Sequence, residues 1–348
     1  MGRSGSVLVA VVCVVACVLA GGSARAGSLC CNQPGDPALA AQRNANLVCP
    51  LGSPSCSIGA QTLESPETCT SSAEGCALDF GNRPVTFDGT FTIATGRLVV
   101  RAASIAVNKP IVAGGATAVE LTTTGAGCAT GGGELVVRQP IDVSSASAGA
   151  IRLFSSCRIV LETGGQLLAS SSASFGGTID LRAATTLAQG AVVRALGAGS
   201  DGGGVSLAAG TDVQSTRTVD VRSLGDGEGG SITLRAGDRS LTGGVPLGGT
   251  LTVSADLVAD GSADSDGETG EDGGAILLEA AGSVVVTGTG MIRAVGGTPD
   301  GGGGILTVFS QEPPAGVLTP LDGDVSLLGP VILRGGTNGD GGDVDGAV

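Results

Sequence analysis

One motif recurs through most of the chain and constrains its fold more than any other feature: a glycine followed by apolar residues at every second position. The motif begins at Gly96, Gly149, Gly177, Gly203, Gly230, Gly274 and Gly303. Successive copies are 53, 28, 26, 27, 44 and 29 residues apart, which indicates a unit of about 27 residues with one double interval and one insertion. Alternating apolar residues predict strands with one buried face, and a repeat of this length is typical of a solenoid.

Stacking of successive units would bring equivalent aliphatic side chains together. Ile179, Val205, Ile232 and Ile276 occupy the same place in their units, and parallel coils would stack them about 4.8 Å apart. Each unit begins with glycine because a corner needs a positive φ or a close approach of two backbones, and a Cβ atom would oppose both. We therefore predict an all-β fold, a right-handed parallel β-helix; an open sandwich and a partly disordered chain are the alternatives.

The composition favours a solenoid because it supplies few large side chains for a compact core. The sequence has 63 glycines, no tryptophan, no tyrosine and an aromatic content of 2%. An ordinary globular domain would contain more large residues. Coils that share one narrow core along an axis do not need them.

The first residues have the pattern of a cleaved signal peptide. Arg3 supplies a positive charge, residues 7–20 are apolar, and Ala24-Arg25-Ala26 is the small-x-small pattern that signal peptidase recognises. We predict cleavage after residue 26 and a secreted or cell-surface protein. No transmembrane segment is expected in the mature chain, because a spanning helix needs roughly 20 apolar residues. The alternative is an outer-membrane lipoprotein whose lipid is attached to Cys17.

Eight cysteines remain in the predicted mature chain, and an even number in an exported protein indicates disulfides. They are Cys30, Cys31, Cys49, Cys56, Cys69, Cys76, Cys128 and Cys157. A zinc site is the alternative, but the sequence has no histidine and lacks the cysteine spacing of a zinc motif. Cys128 and Cys157 are 29 residues apart, about one unit, so we predict a disulfide between neighbouring coils. The sequence leaves the pairing of the other six open.

Those other six cysteines lie in a proline-containing segment that precedes the repeats. Within it, Asp36 and Pro37 suit a helix N-cap and first helical position, and residues 38–47 are mostly good helix formers. We predict one short helix that covers the open end of the β-helix, where edge strands would otherwise pair with other molecules. A cysteine-rich ligand-binding module is the alternative. The predicted domains are a signal peptide (1–26), a disulfide-rich cap (27–79) and β-helix repeats (80–348).

Charge and residue types argue against several functions. Arg3 and Arg25 leave with the signal, so the mature chain carries 16 basic and 32 acidic residues, a net charge of −16. Nucleic acids and anionic membranes require basic surfaces, so neither is an expected partner. The absence of histidine excludes Ser-His-Asp and Cys-His catalysis, and no Asp-Asp pair is present, so we expect no enzyme. A polysaccharide-acting β-helix enzyme is the less favoured alternative.

The insertion near residues 260–273 concentrates acidic side chains. They are Asp260, Asp264, Asp266, Glu268, Glu271 and Asp272. Carboxylate oxygens on a glycine-rich loop suit Ca²⁺, and Asp264-Ser265-Asp266-Gly267 resembles part of a calcium loop without completing its pattern. Calcium is therefore the one candidate cofactor, and a solvated surface loop is the alternative.

Residues 80–334 resemble, in the style of their repeats, the passenger regions of autotransporter adhesins and the filamentous haemagglutinin-like β-helical proteins of Gram-negative bacteria. Gly273-Gly274-Ala275-Ile276 also matches the Gly-Gly-Ala-Ile tetrad of chlamydial polymorphic outer membrane proteins, whose Phe-x-x-Asn motif is not seen here. This resemblance implies display on a bacterial surface and adhesion. Because the sequence stops inside a further copy of the pattern, we expect a fragment or a chain without a C-terminal cap.

The expected function is an exported, non-enzymatic structural or adhesin-like surface scaffold. A calcium-binding secreted β-solenoid is the alternative. The sequence leaves the partner open among a host or environmental surface, a polysaccharide and a second copy of the chain.

Overall fold

The computed structural model describes residues 27–29, 37–63, 76–114, 117–126, 128, 132–244, 248–263, 269–310 and 323–347. The predicted signal peptide lies outside these residues. The described chain is a parallel β-helix in which three parallel sheets run along one axis. The chain visits the three sheets in a fixed order, and each passage through all three makes one coil.

Sheet 1 consists of β1 (Gly27–Leu29), β3 (Gln61–Leu63), β6 (Phe91–Ile93), β9 (Ile111–Ala113), β12 (Ile141–Asp142), β15 (Leu167–Leu168), β18 (Val193–Arg194), β21 (Val219–Asp220), β24 (Leu257–Val258), β27 (Ile292–Arg293) and β30 (Val331–Ile332). Sheet 2 consists of β4 (Cys76–Asp79), β7 (Arg97–Ala102), β10 (Ala118–Thr123), β13 (Ala150–Ser155), β16 (Thr178–Ala183), β19 (Gly204–Ala209), β22 (Ser231–Ala236), β25 (Ala275–Ala280), β28 (Ile305–Ser310) and β31 (Asp343–Ala347). Sheet 3 consists of β2 (Cys56–Ile58), β5 (Val85–Phe87), β8 (Ile105–Val107), β11 (Leu135–Val137), β14 (Ile159–Leu161), β17 (Leu187–Gln189), β20 (Val213–Ser215), β23 (Leu251–Val253), β26 (Val284–Val286) and β29 (Val325–Leu327).

The predicted aliphatic ladder is confirmed by the strand register. Ile179 of β16 pairs with Val205 of β19, which is followed in turn by Ile232 of β22 and Ile276 of β25. All of these pairs are parallel, and their side chains are buried. Like side chains therefore stack on like along the axis, which is why a repeat with few large residues can still exclude water from its core.

The core is a narrow column of small aliphatic side chains. Within β16, for example, Ile179, Leu181 and Ala183 are buried and alternate with more exposed residues. Three buried phenylalanines also belong to the core, Phe80, Phe87 and Phe91, and the ring centroids of Phe87 and Phe91 are 5.9 Å apart in an edge-to-face arrangement. The coil that contains this pair lies near the N-terminal end of the column.

Two polar side chains interrupt the inward-facing aliphatic positions of sheet 3. Gln189 and Ser215 are fully buried on adjacent strands, in line with Leu161 on one side and Val253 on the other. The Ser215 hydroxyl donates to Gln189 Oε1 at 2.8 Å, and Gln189 Nε2 donates to the carbonyl of Arg217 at 3.0 Å. Because these polar atoms find partners, the pair is compatible with a buried position.

One copy of the motif is displaced by a residue from its predicted start. The register pairs Ala275 with Ile305, so Gly304 rather than Gly303 is equivalent to Gly274. Leu306 and Val308 consequently face the core, and Ile305 is 49% exposed. Four consecutive glycines, 301–304, precede this strand and made its start ambiguous in the sequence.

The predicted N-terminal helix is present as α1 (Pro37–Val48), and a short 3-10 helix spans Arg239–Leu241. Helix α1 lies against β4, the edge strand of sheet 2, and buries Ala41, Ala45 and Val48. No helix among the residues that the structure describes is long and apolar enough to cross a membrane.

The column begins earlier than the predicted boundary at residue 80. Strand β2 pairs with β5, β3 with β6, and β4 with β7, all in parallel. These strands belong to the segment that the sequence assigns to the cap. Short strands between cysteines and prolines carry too little alternation to be recognised from sequence, so their membership of the column was missed.

Candidate functional site

An open groove follows the corner between sheet 1 and sheet 2. Its first stretch has a volume of about 800 Å³ and its second about 630 Å³. Both stretches include Gly176 and Thr178, so they join end to end. The first begins at Gly96 and the second ends at Ile305, so the groove passes most coils of the column.

The floor of the groove is a column of glycines interrupted by Thr117, and at several of these glycines a Cβ atom would overlap backbone atoms of the neighbouring coil. A Cβ atom on Gly203 would lie 2.2 Å from the carbonyl oxygen of Gly177, and one on Gly230 would lie 2.0 Å from that of Gly203. Each of these carbonyls accepts a hydrogen bond from the next coil: Gly204 N–H donates to Gly177 at 3.0 Å and Ser231 N–H donates to Gly203 at 3.0 Å. Close backbone approach therefore explains these glycines, whereas a positive φ of 94° applies to the first copy, Gly96.

Carboxylates line the second stretch of the groove, one on each of several coils. Asp201, Glu228 and Asp272 each lie two residues before a floor glycine and occupy equivalent turns. Asp201 Oδ1 accepts the Glu228 N–H at 3.1 Å, and Asp272 Oδ1 accepts the Gly302 N–H at 2.6 Å. Among the described residues that line this stretch there is no lysine or arginine, so all of its charged side chains are acidic, which disfavours anionic ligands.

The first stretch of the groove differs from the second in its polar groups. It contains Arg97, which is paired with Glu120 at 2.5 Å, and Thr117, whose hydroxyl is buried without a hydrogen-bond partner. Because Arg97 is paired and the Thr178 hydroxyl is exposed, this stretch is nearly neutral and can form hydrogen bonds.

Three of the six predicted calcium ligands, Asp260, Glu271 and Asp272, lie in the described part of the chain, and their polar groups have different partners. Asp260 is buried, pairs with Arg293 at 3.1 Å and accepts the Val295 N–H at 2.9 Å. Asp272 instead lines the groove, and the backbone oxygen of Glu271 accepts the Gly297 N–H at 2.7 Å. Asp264, Asp266 and Glu268 lie outside the described residues. Within the described part of the chain, no three Asp, Glu, Cys or His side chains are arranged to hold a metal ion.

Asp260 belongs to a cluster of four charged side chains on the outer side of sheet 1. Arg222 binds Asp220 through Nε and Nη2, both at 2.9 Å, and Asp220 is almost fully buried. Burial raises the pKa of Asp260, although Arg293 and Arg222 oppose the rise. The hydrogen bond with Asp220 raises the pKa of Arg222. The cluster balances two acids with two bases, so it is arranged as an ion-pair network.

A row of polar side chains, separate from the charged cluster on sheet 1, crosses four coils at the edge of sheet 3. Asn108 Nδ2 donates to Asp88 Oδ1 at 2.8 Å, Arg138 Nη1 donates to Asn108 Oδ1 at 2.9 Å, and Arg138 Nε donates to Glu162 Oε1 at 3.0 Å. Hydrogen bonds from Asn108, then Ser57 and Thr86, lower the pKa of Asp88. This row connects the surfaces of neighbouring coils by hydrogen bonds, and no feature of the sequence repeat indicated it.

The cysteines that the structure describes fall into two groups. Cys128 and Cys157, the pair expected from their spacing, are disulfide-bonded with their Cα atoms 5.2 Å apart, and Cys76 is also disulfide-bonded. Cys49 and Cys56 were expected in disulfides but are present as buried thiols. Cys30, Cys31 and Cys69 lie outside the described residues.

The fold defines the chain as a parallel β-helix protein, and comparison with known proteins adds no narrower assignment. No protein-family model, no curated protein and no solved structure matches it. The likeness to bacterial surface proteins is therefore a likeness of repeat style.

Proposed function

We propose that this protein is an exported, non-enzymatic scaffold that displays the corner groove to a surface outside the cell, in the manner of an adhesin. The observation that carries this proposal is the continuity of the groove across coils that stack in strict register. Backbone hydrogen bonds join the floor of each coil to the next, so the groove presents a fixed array of groups at the coil repeat, about 4.8 Å. Such extended surfaces are what solenoid proteins use for binding.

Two observations support export. The sequence begins with a signal-peptide pattern, and a disulfide joins Cys128 to Cys157 on neighbouring coils. Structural disulfides persist in oxidising compartments outside the cytosol.

The charge of the groove determines which chemical class of partner it favours. Its second stretch carries Asp201, Glu228 and Asp272, which disfavours nucleic acids and anionic polysaccharides. We propose a surface polysaccharide that is neutral or carries amino groups. Its hydroxyl and ammonium groups can bind the carboxylates of the second stretch and the exposed hydroxyl of Thr178 where the two stretches join.

The test is retention of the chain from residue 27 onward on immobilised chitosan, cellulose and alginate. We expect retention on chitosan, weaker retention on cellulose and none on alginate. The groove variant combines Asp201→Asn, Glu228→Gln and Asp272→Asn, which remove charge but keep the acceptor oxygens of Asp201 and Asp272. It should lose most of the binding to chitosan.

The matched control removes the same number of charges away from the groove, by Glu134→Gln, Glu162→Gln and Asp180→Asn. These carboxylates form ion pairs with Arg158, Arg138 and Arg182 that are at least partly exposed, and exposed pairs contribute little to stability. Equal retention of the groove and control variants would contradict a role for the groove, and absence of retention on all three polysaccharides would contradict the proposed partner.

Calcium binding by the insertion stays a separate prediction. Asp260 is already paired with Arg293, so a site there would have to use the remaining acids of the insertion. Calorimetric titration of the chain with CaCl₂ tests this prediction, and Asp260→Asn should leave any binding unchanged.

A further inference from the structure

Two cysteines meet where the N-terminal helix joins the first coil. Cys49 directly follows α1 and Cys56 is the first residue of β2. The two side chains are 1% and 2% exposed, and Cys49 Sγ donates to the carbonyl oxygen of Ser55, the residue directly before Cys56, at 3.9 Å. Among the described residues, Cys49 and Cys56 are the two cysteines that are not in a disulfide.

Each thiol is attached to a backbone that is fixed by a different part of the fold. The N–H of Cys49 continues the helical bonding of α1 through the carbonyl of Ala45, at 2.9 Å. The N–H of Cys56 bonds to the carbonyl of Pro84, also at 2.9 Å, and Cys56 pairs with Val85 in sheet 3. The pair therefore bridges the helix and the column.

The segment between the two cysteines is bent to bring them together. It contains Pro50, Pro54 and Gly52, and Gly52 has a φ of 91° that only glycine adopts readily. The Arg83 guanidinium holds its start, donating to the carbonyls of Cys49 and Pro50 at 3.4 and 3.1 Å. The approach of the sulfurs is thus built into the backbone.

We propose that Cys49 and Cys56 are oxidised to a disulfide in the mature protein and that this bond fastens helix α1 over the edge of sheet 2. Both S–H bonds break and one S–S bond forms. The two electrons and two protons pass to an external disulfide, such as glutathione disulfide, which is reduced to two thiols. The same chain already holds Cys128–Cys157 and a bonded Cys76, so conditions that oxidise those residues can oxidise this pair.

The burial of the two thiols determines when the disulfide can form. Exchange requires a thiolate that can reach the oxidant, whereas burial in the folded protein raises the pKa of Cys56 and keeps it protonated. The bond therefore forms while the chain folds, before α1 closes over the sulfurs, and is then protected from reduction.

The first test is a peptide map of the secreted chain, digested without reduction after free thiols are alkylated under denaturing conditions. We expect a species in which Cys49 and Cys56 are joined, two hydrogen atoms lighter than the dithiol form. Alkylated Cys49 and Cys56 in a sample whose Cys128–Cys157 bond is intact would overturn the proposal. Bonding of either residue to another cysteine would overturn it as well.

The second test uses amide hydrogen exchange to measure how firmly the proposed disulfide holds α1 against the column. The variant Cys49→Ser with Cys56→Ser should exchange at least about tenfold faster in α1 and β4, because local opening of the cap becomes easier. The matched variant Cys128→Ser with Cys157→Ser should exchange faster around β13 and leave α1 unchanged. Should the Cys49/Cys56 variant not fold, the same comparison is made on wild-type protein refolded with and without glutathione disulfide. Equal exchange in α1 under both conditions would contradict the fastening role.

Discussion

Asn44 of helix α1 donates a hydrogen bond from its side-chain Nδ2 to the main-chain oxygen of Ala77 in β4, 3.2 Å away. Ala77 lies on the edge strand of sheet 2, where no further strand follows among the described residues. An edge carbonyl without a partner is open to pairing with another chain. A side chain of the cap thus takes the place of a neighbouring strand at this point.

The first prediction concerns this bond. Asn44→Ala should lower the free energy of unfolding of the cap by about 1 kcal/mol, because the carbonyl of Ala77 loses its donor inside a buried contact. Part of the loss is offset because Asn44 Oδ1 is itself buried without a partner. Hydrogen exchange in β4 measures the effect. Gln42→Ala, on the exposed side of α1, is the control, and equal exchange in the two variants would count against the capping role of Asn44.

The second prediction compares two adjacent glycines of one coil. Gly203→Ala places a Cβ atom 2.2 Å from the carbonyl oxygen of Gly177, so backbone must move and the free energy of unfolding should fall by about 3 kcal/mol. Gly204→Ala meets nothing closer than the Ser231 hydroxyl at 3.4 Å. That change should alter stability by no more than about 1 kcal/mol, and it could increase stability by restricting the unfolded chain. Midpoints of urea unfolding give the comparison, and similar midpoints would refute the close-approach explanation.

The β-helix column could be predicted from the sequence because its buried aliphatic residues repeat at a regular interval. Ile179, Val205, Ile232 and Ile276 repeat at intervals that a parallel coil must match, and the register confirms them. The helix was predictable because Pro37 and the following residues are a strong local signal. In each case the deciding information lies within one unit or one short segment.

The remaining features depend on contacts between residues that are far apart in the sequence. Gln189 and Ser215 interrupt the apolar ladder, and only their mutual hydrogen bond explains why both are accepted there. Asp260 looked like a metal ligand because its acidic neighbours in sequence were visible, whereas its actual partner, Arg293, is a coil away. The corner groove likewise exists only once the coils are stacked.

The third prediction uses the pair of Asp260 and Arg293. Burial raises the pKa of Asp260 above its value in the unfolded chain, so the folded protein binds this proton more tightly and stability falls as pH rises through the folded pKa. Arg293→Met removes the nearest base and raises that pKa further. Near neutral pH, the free energy of unfolding of the variant should be about 2 kcal/mol lower than that of wild type. This difference should shrink as the pH falls towards ~4 and the Asp260 carboxyl becomes protonated.

Arg138→Met is the matched control for that experiment. Arg138 pairs with Glu162 at 3.0 Å, but both side chains are more than 40% exposed. The free energy of unfolding of Arg138→Met should therefore be less than about 1 kcal/mol below that of wild type. Thermal unfolding of both variants across this pH range provides the measurement. A loss in Arg293→Met that grows as pH falls would contradict the assignment of Arg293 as a base that stabilises the ionised Asp260 carboxylate.

The fourth prediction concerns Asp88, whose pKa is lowered most by the hydrogen bond from Asn108 and less by those from Ser57 and Thr86. Asn108→Ala removes the largest cause, so the pKa of Asp88 should rise towards its usual value. Lys109→Ala removes a weaker influence, the charge of the ammonium group, and should change the pKa of Asp88 little. Carbon NMR titration of the Asp88 carboxyl measures the pKa in each variant.

The stability that Asp88 contributes has the opposite pH dependence to that of Asp260. A lowered pKa means that the contribution is present above the unfolded pKa and is lost as pH falls through the folded pKa. The difference in unfolding midpoint between wild type and Asn108→Ala should therefore be largest above pH ~4 and should narrow in stronger acid. If Lys109→Ala shifted the titration of Asp88 more than Asn108→Ala did, the polar row on sheet 3 would act through charge and not through hydrogen bonds.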